Sequence, residues 1–219
     1  YLVVLLCLGW AALLCAVPAR ATTYDAELPQ ALLSGPDLCA HTACTDVMPA
    51  ATHFSQRKGR PSYVEAYAAT KDGHEDKGKH DSKDASKDDG KEHKRLVGYV
   101  FLSTDVVDVP AYSGKPIITL IGMDTKGIIT GVRVLKHTEP ILLAGIPESV
   151  FVKFIAQYLG KSADSKLVIG QGQNDNGALS LDAISGATVT AIAENQVISR
   201  SAYEIGRQVG IIKSTPRPP

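Results

Sequence analysis

Aromatic side chains are scarce here, 6% of 219 residues, and neither sign of charge prevails: 23 Lys and Arg are balanced by 23 Asp and Glu. Proteins that hold nucleic acid carry a basic surplus against the phosphates, and single-strand binders add aromatic stacking platforms. With neither present, no nucleic-acid partner is expected. Signatures of self-contained catalysis are missing as well. No Gly-rich loop closes on a Lys, no G-x-G-x-x-G follows a strand pattern, and there is no G-x-S-x-G elbow or H-E-x-x-H pair. No internal repeat is visible.

Cysteine is rare, with four in the chain. Cys7 and Cys15 fall in the apolar run Tyr1 to Val17, which ends in the small-x-small sequence Ala19-Arg20-Ala21 before polar sequence begins at Thr22. Residues 1–21 therefore read as a secretory signal peptide, with an uncleaved anchor as the alternative. An initiator Met and a basic leading region are lacking, so the chain reads as part of a longer sequence. Export implies an oxidising compartment. There Cys39 and Cys44, spaced C-x4-C in an N-terminal segment 22–61, rank first as a disulfide, then as free thiols. A metal site with His41 between them ranks last, because a third and fourth ligand are not evident.

Large apolar residues vanish altogether from Thr70 to Arg95, a run dense in both charge signs with His74, His80 and His93. Such a segment buries too little to offset its ordering entropy and is expected to be a disordered insertion; metal scavenging by its histidines is the weaker alternative.

Around that insertion, periodicity points to an α+β domain, an antiparallel sheet with flanking helices, over 62–212. Ser62 to Ala68 and Leu96 to Leu102 read as strands of one hairpin with the insertion at its tip. Val47 to Phe54 reads as a turn leading into the fold. Ile117 to Met123 and Ile128 to Leu135 add two strands joined by the turn Asp124-Thr125-Lys126-Gly127, for about four in all. Glu148 to Leu159 reads as a helix presenting Val150, Phe151, Phe154, Ile155 and Leu159, with Gly160 as its C-cap. Gln171 to Leu179 reads as a loop. Ile192, Ile198, Ala202, Ile205 and Val209 keep helical spacing to the end of the domain, and 213–219 reads as a linker.

The chemistry concentrates where that last helix begins, at Asp182-Ala183-Ile184-Ser185-Gly186-Ala187-Thr188-Val189-Thr190. Ser185 is placed to cap the helix, and Gly186 lets backbone approach a ligand without a Cβ. The amides of Ala187, Thr188 and Val189 are placed to hold a phosphate at the positive end of the helix dipole. An ordinary capped helix start gives the same pattern, and spacing alone does not separate the two.

The pattern Asp182-x-x-Ser185-Gly186-Ala187-Thr188 resembles the flavinylation motif of FMN-binding domains such as the small subunits of Rnf and Na+-translocating quinone reductase complexes. In that family a flavin transferase moves FMN from FAD onto the hydroxyl of the final Thr as a phosphoester, which implies Thr188; Thr190 lies outside the pattern. The runs GYVFLSTDVVDVPAYSGKPI, HTEPILLAGIPE and DAISGATVTA, in that order, are similar to the periplasmic N-terminal domain of NosR/NirI-type proteins, membrane flavoproteins linked to nitrous-oxide and nitrite respiration.

The resemblance implies an electron-transfer flavoprotein rather than a stand-alone enzyme, the periplasmic domain of an inner-membrane protein. Its implied partners are a flavin transferase, nitrous-oxide reductase or its maturation proteins, and the cytoplasmic membrane through a C-terminal part absent from this sequence. Iron–sulfur clusters are expected only in that absent part. A sensory or assembly module that affects reductase expression without essential flavin chemistry is the alternative.

His137, Thr138 and Glu139, together with Tyr112, join Asp182, Ser185, Gly186 and Ala187 as candidate flavin-pocket residues. The segment HTEPILLAGIP resembles the position of an E-T-P-G-L-G run in the related subunits, keeping Glu139-Pro140 and Gly145 while the intervening residues depart. His137 also reads as a surface histidine at a strand end, Tyr112 as a loop aromatic packed on the sheet, and Asp182 as a turn former.

Overall fold

Alternation of side chains along three long strands sets the architecture. The computed structural model describes residues 27–69, 94–140, 142, 145–170 and 177–213. Strands β1 (His53–Phe54), β2 (Val64–Ala69), β3 (Lys94–Leu102), β4 (Ile118–Asp124) and β5 (Ile129–Lys136) form one antiparallel sheet in sequential order. Successive residues of a strand point to opposite faces, and both faces here are covered. From β3, Tyr99 and Phe101 join Ile121 and Met123 under the helices. Val100 and Leu102 join Leu120, Val64 and Ala66 under the N-terminal segment.

On the helical face lie α3 (Glu148–Ala156) and the 21-residue α4 (Thr188–Gln208). Helix α4 buries Ala191, Ile198, Ala202 and Ile205 against the sheet, and α3 contributes Phe151, Phe154 and Ile155. A small parallel pair, β6 (Leu167–Ile169) with β7 (Leu179–Leu181), precedes α4.

The opposite face is covered by short helices α1 (Gln30–Ser34) and α2 (Leu38–His41) and the 3-10 turn Cys44–Asp46. Cys39 and Cys44 form a disulfide with Cα atoms 5.4 Å apart, joining α2 to that turn. The next residue, Val47, lies directly on the sheet where Gly122 and Gly131 pair across β4 and β5. A Cβ on Gly122 would meet the Val47 carbonyl oxygen at 2.1 Å, and one on Gly131 the Val47 Cα at 2.4 Å. Only glycine admits a main chain so close. Thr130 fixes the contact by donating to the Val47 carbonyl at 2.6 Å. Arg57, reaching in from the strand side, binds Asp105, Ser62 and the Leu32 carbonyl.

Several expectations need correction. The sheet has five strands, because two residues of the expected turn, His53 and Phe54, pair with Tyr67 and Ala66. A two-residue strand is too short to show alternation. Lys94 and Arg95 belong to β3 rather than to the charged insertion. Their main chains pair with Ala69 and Ala68 while their side chains stay in solvent. In α3, Val150 and Leu159 are exposed, and Tyr158 is buried in Leu159's stead, because the helix ends at Ala156 and the following turns change the facing. Leu179, expected in a loop, opens β7. The leader, the rest of the insertion and residues 214–219 of the terminal linker lie outside the described residues. Among the described residues no helix is long and apolar enough to cross a membrane.

Candidate functional site

The start of α4 is shaped by one tight turn. Ile184, 1% exposed, anchors it in the core, and the Ala187 amide donates to the Ile184 carbonyl at 2.9 Å. Gly186, at the crest, has φ +80°, a conformation that costs any residue with a Cβ. The turn delays the helix. Ala187, not Ser185, is the N-cap, no side chain caps the end, and Ser185 lies exposed. The Ala187 amide is also spent on the turn, so the anion-facing set at this end is Thr188, Val189 and Thr190, the first residues of α4. A helix start of this kind leaves its leading amides unpaired and positive.

A groove of about 400 Å³ opens over these residues, lined by Tyr112, Gly186, Ala187, Thr188, Val189 and Thr190. Its volume lies in the range of small-molecule sites, roughly 300–1,000 Å³. Thr188 is exposed to it. Tyr112 is 66% exposed and forms part of the wall instead of packing on the sheet; Val189 and Ile192 continue the apolar surface along the outer side of α4. Asp182 lies upstream on the surface. Its main chain is held from both sides by Gln157, which accepts from its amide at 2.8 Å and donates to its carbonyl at 3.2 Å.

Neither His137 nor Glu139 lines the groove: Glu139 lies beneath it, bonded to Thr190, and His137 lines a separate pocket of about 170 Å³. His137 is buried, so the surface reading is incorrect: β5 ends at Lys136, and the chain then turns inward. Its ring meets Phe151 edge-on at a centroid distance of 5.6 Å, and its Nδ1 accepts from the Glu139 amide at 3.3 Å. Glu139 is fully buried. One carboxylate oxygen accepts from the Ser113 amide at 2.9 Å, the other from the Thr190 hydroxyl at 2.5 Å. Ser113 and Thr138 hydroxyls lie 3.0 Å apart. These bonds tie the Tyr112 loop to the first turn of α4.

One residue of this buried layer escaped sequence reasoning. Glu194, one helical turn beyond Thr190, is fully buried and accepts from the Thr119 hydroxyl at 2.7 Å. Its second oxygen has no hydrogen-bond partner among the described residues. Burial, reinforced by the Glu139 charge and against the lowering effect of Thr119, pushes its pKa up to about 8 and favours the protonated form. The same burial and Glu194 hold the Tyr158 phenol above its usual value while it donates to Asn195 at 3.0 Å. A signal did exist in the sequence: Thr190, Glu194 and Ile198 recur every four residues, which places a carboxyl on the buried stripe. No group of three metal-ligating side chains occurs among the described residues.

Comparison with known proteins bears on what such a groove holds. Residues 112–202 match the FMN-binding domain family, a stretch that starts at Tyr112 in the groove wall and ends within α4. The chain is 43% identical over 120 residues to the regulatory protein NosR of Pseudomonas aeruginosa, covering 55% of this chain and 17% of NosR. It is 30% identical over 117 residues to NirI of Paracoccus denitrificans, covering 53% of this chain and 16% of NirI. It is also 30% identical over 112 residues to one component of the Na+-translocating ferredoxin:NAD+ oxidoreductase complex of Acetobacterium woodii, covering 51% of each chain. The chain thus spans about a sixth of the length of NosR and NirI and about half of the oxidoreductase component.

Proposed function

From the premise that this chain carries an FMN-binding domain of the NosR and NirI type, we propose that FMN is attached covalently to Thr188 and that the domain passes electrons in nitrous-oxide respiration on the periplasmic side of the inner membrane. The observation that carries the attachment is the Thr188 hydroxyl, exposed on the first residue of α4 at the edge of a small-molecule-sized groove.

The residues present suit FMN. Unpaired amides and the dipole at the start of α4 favour the phosphate, and Gly186 gives the turn its shape. Tyr112 and Val189 offer an apolar wall for the ring. Glu139 and Ser113 hold that wall in place from below. When bound, FMN supplies one- and two-electron redox chemistry, and the protein's share is to position it and set its electrostatics. In attachment, the Thr188 oxygen forms a bond to the flavin-side phosphorus of FAD. The bond from that phosphorus to AMP breaks, AMP leaves, and the hydroxyl proton passes to a base of the transferase.

Mass spectrometry of the protein co-expressed with a flavin transferase tests this. The expected result is one FMN on the peptide containing Thr188, absent from Thr188→Val. An unmodified wild type, or FMN on another residue, overturns it. The regulatory role for which NosR is named favours a second reading, a sensory or assembly module that affects reductase expression. The same variant separates the two in the cell: reductase activity lost at unchanged abundance supports electron transfer, whereas lost abundance with electron flow intact supports regulation. The further reach of the protein, a membrane region with iron–sulfur clusters and contact with nitrous-oxide reductase or its maturation proteins, belongs to the same proposal.

A further inference from the structure

Two threonine hydroxyls lie at the start of α4, two residues apart, and both residues line the groove. As nucleophiles they are chemically alike, so attachment to one of them needs a physical cause. We propose that Glu139 is the specificity-determining residue that keeps Thr190 from accepting FMN and so assigns attachment to Thr188. The inference rests on covalent attachment as read above and concerns how the acceptor is chosen.

The environments of the two hydroxyls differ sharply. Thr188 is exposed, while Thr190 is 1% exposed and gives its proton to the buried Glu139 carboxylate at 2.5 Å. For Thr190 to attack phosphorus, that bond must break and leave a buried carboxylate short of a donor, a costly state in a dry site. The product would also set a phosphodiester charge beside the Glu139 charge. Both partners of Glu139, the Ser113 amide and the Thr190 hydroxyl, are neutral, and no Lys or Arg forms an ion pair with it among the described residues. Like charges in contact, screened by little water, repel strongly. Thr188 meets neither obstacle. A carboxylate that accepts a hydroxyl proton also has the geometry of a general base. If Glu139 served in that way, Thr190 would be the more reactive residue, and loss of Thr188 would move FMN onto it.

The experiment maps FMN by peptide mass spectrometry after co-expression with a flavin transferase, with circular dichroism and thermal melting to establish folding. Wild type is expected to carry FMN on Thr188 alone, and Thr188→Val to carry none. Glu139→Gln keeps the size of the side chain but removes the charge, and one amide cannot accept from both Ser113 and Thr190 at its two ends. The double variant Thr188→Val/Glu139→Gln is therefore expected to carry FMN on Thr190, at least tenfold above Thr188→Val.

A folded double variant without FMN overturns the proposal, as does FMN on Thr190 in Thr188→Val with Glu139 intact. Should the double variant not fold, Glu139→Gln alone decides: FMN divided between Thr188 and Thr190 supports the assignment, and FMN confined to Thr188 overturns it. An unmodified wild type removes the attachment reading itself, and the proposal falls with it.

Discussion

The two faces of the sheet are buried by opposite means. Under the N-terminal segment the contact is mainly one of shape: a glycine pair opened to the Val47 main chain, aliphatic side chains and a disulfide. Arg57, ion-paired with Asp105, adds a polar tie to the Leu32 carbonyl. Beneath α4 the layer is also tightly closed, yet it contains two carboxyls, Glu139 and Glu194, with hydroxyls as their side-chain partners. A purely apolar layer would be easier to stabilise, since buried polar groups must each find a partner. Carrying polar groups there makes sense where a groove has to be held in one arrangement. The covering face supplies rigidity, and the helical face supplies the site.

The largest way to sharpen this contrast is pH. Glu194 has its folded pKa raised from the usual 4.5 to about 8. The folded state therefore binds a proton that the unfolded state releases, and stability present at low pH is lost as pH rises through this window. At about 1.4 kcal/mol per pH unit, wild type should lose at most roughly 4 kcal/mol between pH 5 and 8 relative to Glu194→Gln, whose profile lacks this slope. Urea unfolding at several pH values reads the difference. Parallel profiles would show that Glu194 does not hold its proton. Thr119, Glu139 and Tyr158 are the groups that act on this site, and all three remain in the variant.

The covering face is broken by Gly131→Val, which forces a side chain into the Val47 main chain. A cost of about 3 kcal/mol is expected in urea unfolding, because backbone on both sides must move. Attachment of FMN at Thr188 should survive in the folded fraction. Loss of attachment at unchanged folding would show that the two faces are not separable.

A smaller effect is expected from replacing Cys39 and Cys44 together by Ala. Their loop is short, and its closure stabilises by about 2 kcal/mol on chain entropy. The thermal midpoint should fall while flavin mapping stays unchanged; an unaltered midpoint would mean that packing alone holds this segment.

How far the sequence could be read follows from the range of the forces involved. Strands β2 to β5 and helices α3 and α4 were legible because alternation and helical spacing are local consequences of burial on one or two faces. The brief β1 and β7 were not, since two or three residues display no period and pair only because a neighbour is present. At the site, Thr188 was marked by its motif. The capping role given to Ser185 failed because the turn at Gly186 delays the helix by two residues. His137 and Glu139 were singled out, but their burial depends on an inward turn after β5 that nothing in their own segment specifies.

By itself, the sequence determined the α+β class and the strand-and-helix periods, and its motif singled out Thr188 as the proposed acceptor, all from residues near one another in the chain. Only the tertiary structure decided which hydroxyl is free. As residues Thr188 and Thr190 are alike, and only the motif tells them apart in the sequence. In the fold, a carboxylate 51 residues away binds one and leaves the other exposed. Contacts between distant segments set burial and charge, the two quantities on which the proposed choice of Thr188 over Thr190 rests.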